Sequence, residues 1–336
     1  MLEKICILPQ VHGIGGMVSF FHKFSEGAAK QGVEVTTNVN DPACSALLII
    51  GGTKDLAAIY QFRKKGKKVA QRLDGLNWIH QVRPISFRHS LRAEYGNFVL
   101  KTIRRHLCDE IVYQSEFSRT WWNERFGAVE KPSTVIYNGV DLQTYTPKER
   151  PTFPPFRVLV VEGSMGGGYE SGLENAILLT KGLLARNMAV ELQVVGEVEP
   201  SLQKSWESKI EFPILWTGKV PRERIPEIDR GAHVLFSADI HPACPNSVME
   251  AMACGLPVVS YNTGSLNELV TDDCGQVVAY GSNSWRLENP IIDNLVDGAE
   301  MILKDWDRFS KNSRQRAEDL FGLELMVNKY LDILLG

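Results

Sequence analysis

The sequence predicts an α/β protein built from two doubly wound, parallel-sheet domains. Three observations carry that prediction. β-rich runs alternate with helix-patterned runs, a Pro-rich stretch interrupts the alternation near the middle of the chain, and the alternation then restarts. A chain of 336 residues also has room for about two domains of ~150 residues each.

The elements follow in order. Residues 4–8 form a β-rich run entering a Gly-rich turn. Residues 17–30 place Phe20, Phe21, Phe24 and Ala28 at helical spacing and stop at Gly32. Residues 33–37, 46–50 and 68–71 read as strands, 87–105 as a helix, 110–114 as a strand, 116–126 as a helix and 133–137 as a strand. Residues 146–155 hold four prolines among charged side chains, the composition of a linker. Strands then resume at 156–161, 190–195, 214–217, 233–236 and 257–260, with a helix at 173–185. An amphipathic run at 320–335 reads as a closing helix. The expected division is 1–150, 151–320, and a helix at 321–336 packing back across the domain junction.

Composition narrows the partners. No apolar run approaches a membrane span, and the N-terminal residues read as a strand rather than a signal peptide. The six cysteines lack Cys-x-x-Cys or Cys/His metal spacing, so buried thiols of a cytoplasmic protein are expected. The net charge of -3 hides an asymmetry: residues 1–150 carry 21 Lys/Arg against 14 Asp/Glu, and residues 151–336 carry 16 against 26. The basic excess is densest from Arg63 to Arg105, where Trp78, Ile79, Ile85 and Phe87 are interleaved. That pattern suits an anionic substrate, peripheral contact with the inner face of an anionic membrane, or a solvated face. No nucleic-acid motif accompanies it.

The candidate site lies at residues 241–260. His241-Pro-Ala-Cys-Pro-Asn-Ser-Val-Met-Glu-Ala-Met-Ala-Cys-Gly255 reads as a loop, a helix start capped by Asn246 or Ser247, and a stop at Gly255. Pro245, Asn246 and Ser247 would present free backbone N–H groups and the positive helix end to a phosphate. One turn in, Glu250 can accept hydrogen bonds from ribose hydroxyls. It equally fits a Ser-x-x-Glu capping box with Ser247, which would only close the helix start.

Residues 249–260 (Met-Glu-Ala-Met-Ala-Cys-Gly-Leu-Pro-Val-Val-Ser), Gly264-Ser-Leu-Asn-Glu-Leu-Val270 and Asp273-Cys-Gly-Gln-Val277 resemble the donor-site signature of the retaining GT-B glycosyltransferases of family 4, the glycosyl transferases group 1. Gly13-Ile-Gly-Gly16, Tyr137-Asn-Gly-Val-Asp141 with Tyr145-Thr-Pro147, and Trp216-Thr-Gly-Lys-Val-Pro-Arg-Glu223 resemble further family segments in the family's order. The resemblance implies two Rossmann-like domains facing a central cleft, with a UDP- or GDP-sugar donor on the second. It implies a glycan or glycolipid acceptor on the first, retained anomeric configuration, no metal or other cofactor, and a place in polysaccharide biosynthesis. Donor contacts would come from Gly15, Gly16, Gly163, Ser164, Gly218, Lys219, Pro245, Asn246, Ser247 and Glu250.

Three departures from the family stand out. The first of its two spaced glutamates would fall at position 242, which is proline. Its usual Arg and Lys beside the diphosphate are replaced by Ser164 and by Gly166 to Tyr169, so that Lys219, Arg222 or Arg72 would have to compensate. Asp74 stands where relatives carry a histidine. With Arg72 it is the expected catalytic pair, against a plain turn-capping Asp or His80 as alternatives. Rival readings are a sugar-nucleotide epimerase of the same fold and a nucleotide-sugar-binding protein with impaired catalysis. A nicotinamide oxidoreductase fails on Val18 in the third glycine position. Asp305-Trp-Asp307 matches the letters of a metal motif but falls in a helical stretch.

Overall fold

The computed structural model describes residues 3–13, 15–83, 86–149, 153–165 and 170–336. The chain forms two compact units, Met1–Gly139 with Gly322–Gly336, and Val140–Phe321.

The first unit runs β1 (Lys4–Leu8), α1 (Gly16–Lys30), β2 (Glu34–Thr36), β3 (Ala46–Ile49), α2 (Leu56–Lys64), β4 (Lys68–Leu73), α3 (Phe87–Thr102), β5 (Glu110–Tyr113), α4 (Glu116–Phe126) and β6 (Ser133–Val135). The second runs β7 (Phe156–Ser164), α5 (Glu170–Ala185), β8 (Val190–Glu197), α6 (Pro200–Glu207), β9 (Ile214–Gly218), α7 (Ile225–Arg230), β10 (Val234–Ser237), α8 (Asn246–Ala253), β11 (Val258–Tyr261), α9 (Leu266–Leu269), β12 (Gly275–Val278), α10 (Ile292–Lys304) and α11 (Trp306–Leu320). The last helix, α12 (Leu323–Leu335), is counted with the first unit.

Each unit holds one six-stranded, all-parallel sheet, ordered β2-β1-β3-β4-β5-β6 in the first and β12-β11-β10-β7-β8-β9 in the second. Parallel sheets bury both faces, which is why their strands read as unbroken apolar runs. In β1, Ile5 and Ile7 join the core under α1 and α12, while Cys6 and Leu8 join the core on the other face with Trp122. Phe20 and Phe24 of α1 meet Tyr330 of α12 edge-on, with ring centroids 5.2 and 5.7 Å apart.

The division of the chain falls at Gly139 and Phe321, not at the Pro-rich stretch and residue 320. Residues 140–147 go with the second unit because two arginines take up their carbonyls. Arg314 Nη1 donates to the Tyr145 carbonyl at 2.7 Å, and Arg230 donates to those of Thr144 and Thr146 at 2.7 Å each. Within the Pro-rich stretch, residues 150–152 lie outside the described residues. Helices α2, α6, α7, α9 and α10 and strand β12 had no counterpart among the elements read from the sequence, and α11 was read only as a helical stretch around Asp305-Trp-Asp307. The Asp305-Trp-Asp307 letters sit at the start of α11. All six cysteines are free and buried, and no described helix is long and apolar enough to cross a membrane.

Candidate functional site

Counted from its own first strand, the second sheet has the order 3-2-1-4-5-6, the doubly wound arrangement whose strand order reverses between β7 and β10. Ligands of such sheets bind beyond the carboxyl ends of the strands, at that reversal. Gly163 and Ser164 end β7, Glu197 ends β8, and Gly218 ends β9, with Lys219 next in the chain. Ala238 and Asp239 follow β10, and the chain then enters the α8 loop. The donor residues expected in this half therefore share one edge of one sheet, although 87 positions separate the first from the last (163 to 250).

Helix α8 begins at Asn246, with Pro245 in the cap position and no side chain capping it. The expected cap by Asn246 or Ser247 is therefore not made. The first N–H groups of a helix have no partner within it, so this start keeps donors for an external acceptor. The capping box is not formed either. Glu250 is buried, and its Oε1 lies 3.5 Å from Arg222 Nη2. Asp229 and Tyr145 are buried close by. Burial, and then the charge of Glu250, push the Asp229 carboxyl well above the ordinary carboxylate range, and the same two causes push the Tyr145 phenol up.

The loop before α8 is pinned from both sides. Ser265 N donates to the Pro242 carbonyl at 2.9 Å. Gly264 adopts φ +60°, and a Cβ there would lie 2.5 Å from the Pro242 oxygen. Proline thus replaces the family glutamate at a place where its backbone is clamped by the following turn. His241 stacks on Trp285 at 3.6 Å between centroids, and burial lowers its pKa to about 4, so the ring is neutral at physiological pH.

Glu162, Gly163, Ser164, Met165, Ala238 and Asp239 line a cavity of about 180 Å³ at the strand reversal. The cavity beside Ser164, the residue at the family's Arg position, is therefore flanked by two half-buried acids. Burial, and the proximity of Asp239, raise the Glu162 pKa; burial also raises that of Asp239. Lys219 does not relieve them, because its ammonium pairs with Glu197. The remainder of the expected phosphate loop, residues 166–169, lies outside the described residues. Asp239, Asp229 and Tyr145 were missed by sequence reasoning. The only signal for Asp239 was an acid just past the fourth strand of a doubly wound half.

In the first unit, Asp74 sits just past β4, half-buried. Its carbonyl accepts from Trp122 Nε1 at 2.8 Å and Ser118 Oγ at 2.9 Å. Burial raises its carboxyl pKa, and Arg72 partly opposes the rise. Arg72 is not the open cation that was expected. It is 2% exposed, lies over the Phe20 ring at 4.1 Å and donates to Asn138 Oδ1 at 2.8 Å. His80, the alternative catalytic residue, is held by Glu94 at 2.7 Å. Gly15 caps α1 with φ +143°, and a Cβ on Gly15 or Gly16 would meet nothing within 4 Å, so the turn after β1 is open on that side. Ile14 within that turn lies outside the described residues.

Residues 157–297 match the family model of the glycosyl transferases group 1. An uncharacterized glycosyltransferase of Haemophilus influenzae is 23% identical over 275 residues, which span 74% of this chain and 70% of that one. A GDP-mannose-dependent alpha-(1-6)-phosphatidylinositol dimannoside mannosyltransferase of Mycobacterium tuberculosis is 26% identical over 50% of this chain and 44% of its own length. Among solved structures, a sucrose-phosphate synthase from Thermosynechococcus elongatus superposes with a TM-score of 0.71 at 16% identity over 98% of both chains. The Anabaena protein HepE, in complex with UDP and glucose, superposes at 0.69 with 17% identity over 99% of both. The second unit carries the group 1 match and the two doubly wound sheets have the GT-B fold: the protein is a glycosyltransferase.

Proposed function

We propose that the enzyme moves a sugar from a nucleoside diphosphate sugar, with UDP or GDP as the nucleotide, to a glycan or glycolipid acceptor, with retention of anomeric configuration and in the service of polysaccharide assembly. The observation that carries this reading is the uncapped start of α8 beside the strand reversal, with the Glu250 carboxylate one turn in and not spent on capping. In this reading the diphosphate sits on the Pro245–Ser247 backbone and at Gly163–Ser164. The ribose hydroxyls compete with Arg222 for Glu250, and the backbone at Gly218 and Lys219 borders the base. Asp74 positions or deprotonates the acceptor hydroxyl, and Arg72 supports its charge from beneath. Backbone dipoles rather than a metal ion neutralise the leaving group, so transfer survives EDTA. A relative that uses GDP-mannose and a structural neighbour holding UDP support the choice of these two nucleotides.

A second reading rests on one observation. Glu162 and Asp239 line the cavity beside Ser164, and two acids next to a leaving diphosphate would oppose its charge, which favours a protein that binds nucleotide sugar and transfers it slowly. A thermal-shift screen across UDP-, GDP-, ADP- and CDP-sugars, followed by product detection with the best donor, separates the two. Stabilisation with transfer supports the first reading, stabilisation without transfer the second, and no stabilisation by any donor defeats both.

A further inference from the structure

Among the described residues, more of the exposed large apolar side chains lie on α3 than on any other element. Phe87, Leu91, Tyr95 and Phe98 are 79%, 61%, 55% and 61% exposed. Spaced four, four and three apart, they fall within about 80° of arc at ~100° per residue. The opposite face, with Ala93, Asn97, Val99 and Leu100, is buried. A globular helix normally turns its apolar stripe inward, and this one turns a second stripe out.

The charges beside the stripe say what covers it. Arg88 and Arg92 are exposed along one flank. Lys101 lies on the other, its ammonium 5.2 Å from the centre of the Phe126 ring. The one acid of the helix, Glu94, is taken up by His80 Nε2 at 2.7 Å and Gln81 Nε2 at 3.0 Å. Beyond the helix, Arg105 is exposed, and Arg63 Nη1 donates to the His106 carbonyl at 3.1 Å. That contact ties the turn after α3 to a cavity of about 490 Å³ lined by Arg63, Lys64, Lys67, Lys68 and Asp109, where Arg63 pairs with Asp109 and Lys68 with Glu110. A twofold pairing of two α3 faces would set Arg88 and Arg92 against their own copies, a like-charge contact. An anionic bilayer meets the same cations with opposite charge and takes the aromatic and aliphatic side chains into its interface.

We propose that α3 is an in-plane anchor that docks the first unit on an anionic lipid surface through Phe87, Leu91, Tyr95 and Phe98, flanked by Arg88, Arg92 and Lys101. The helix lies along the surface and does not cross it, since its 16 residues span only about 24 Å. The docking is independent of the donor reading and does not require that the acceptor be a lipid.

The test is co-sedimentation of the full chain with phosphatidylcholine vesicles, with and without about one third phosphatidylglycerol. The parent is expected to sediment with the anionic vesicles and to be released by salt. Replacing Phe87, Leu91 and Phe98 together by Ser should lower partitioning by roughly 100-fold. An Arg88→Gln, Arg92→Gln variant should lower it by roughly 30-fold, at about 5-fold per cation. These side chains are exposed, so both variants should melt at the parent temperature, which separates lost docking from lost fold. The proposal is overturned if the parent ignores anionic vesicles or if the triple variant partitions like the parent. It is equally overturned if light scattering finds a dimer that the triple variant dissolves, since a second copy would then cover the face.

Discussion

The two sheets have the same size and the same all-parallel pairing, yet they reverse at different strands, between β1 and β3 in the first unit and between β7 and β10 in the second. The side chains at the two edges are organised in opposite ways. In the second unit the reversal carries a cavity, an uncapped helix start and a set of acids facing one another. In the first, the polar residues near the strand ends are packed inward: Arg72 bonds Asn138 under Phe20, and the Asp74 carbonyl is held by Ser118 and Trp122. One backbone plan thus supports an edge with a cavity and an open helix start in one unit, and in the other an edge where Asp74 is the main candidate for chemistry. Topology supplies the place, and the residues at the strand ends decide what it can hold.

That contrast can be broken by substitutions on each side. The largest effect is expected in the first unit. Asp74→Asn should lower kcat by about 10²- to 10⁴-fold while leaving nucleotide-induced thermal stabilisation unchanged. Because burial raises the Asp74 pKa, the acidic limb of the parent's pH–rate profile should lie above the ordinary aspartate range. An unchanged kcat would remove Asp74 from the chemistry. In the second unit, Glu250→Ala should weaken donor binding by roughly 100-fold, the worth of two hydrogen bonds to a charged group. The loss should appear in donor titrations and KM more than in kcat. Parent-like affinity would leave Glu250 as a structural partner of Arg222.

Smaller effects test the framework. Gly264→Ala forces a Cβ against the Pro242 backbone at positive φ, and should cost about 2–3 kcal/mol in denaturant melts. Donor binding should weaken with it, because Gly264 and Ser265 fix the loop that leads to α8. The smallest and most specific effect concerns the acids at the β7–β10 reversal. Glu162 and Asp239 hold protons more tightly folded than unfolded. Their stabilising contribution is complete below the unfolded carboxylate range near pH ~4 and is lost as pH rises through the raised folded values. Glu162→Gln should therefore melt like the parent at about pH 4 and be more stable by on the order of 2 kcal/mol, roughly 4–8 °C, at about pH 8. A constant difference across that range would show that the two acids are not proton-linked to folding.

Much of the fold was legible along the chain. The buried parallel strands read as apolar runs because both sheet faces are covered, and α1 read clearly because Phe20, Phe24 and Ala28 share one buried stripe. Helices such as α6, a short and largely polar run with no fully buried side chain, gave a weaker pattern and were missed. The α8 segment was legible for a local reason, since a Pro-Asn-Ser helix start and a Gly stop are written within ten residues of one another.

The sequence by itself determined where every strand but β12 and half of the twelve named helices lie, the Pro-Asn-Ser start of α8, the placement of Glu250 one turn inside it, and the loss of glutamate at Pro242. These depend on backbone sterics and on hydrogen bonds between near neighbours. Only the tertiary structure decided that Glu250 faces Arg222 instead of closing its own helix, and that Arg72 is buried on Phe20. The same holds for the shared cavity of Glu162 and Asp239, for α12 joining the first unit, and for the apolar stripe of α3 facing outward. Each joins residues far apart in the chain or turns on which face is covered. Strand order and burial set such pairings, and neither is encoded in any short run of residues.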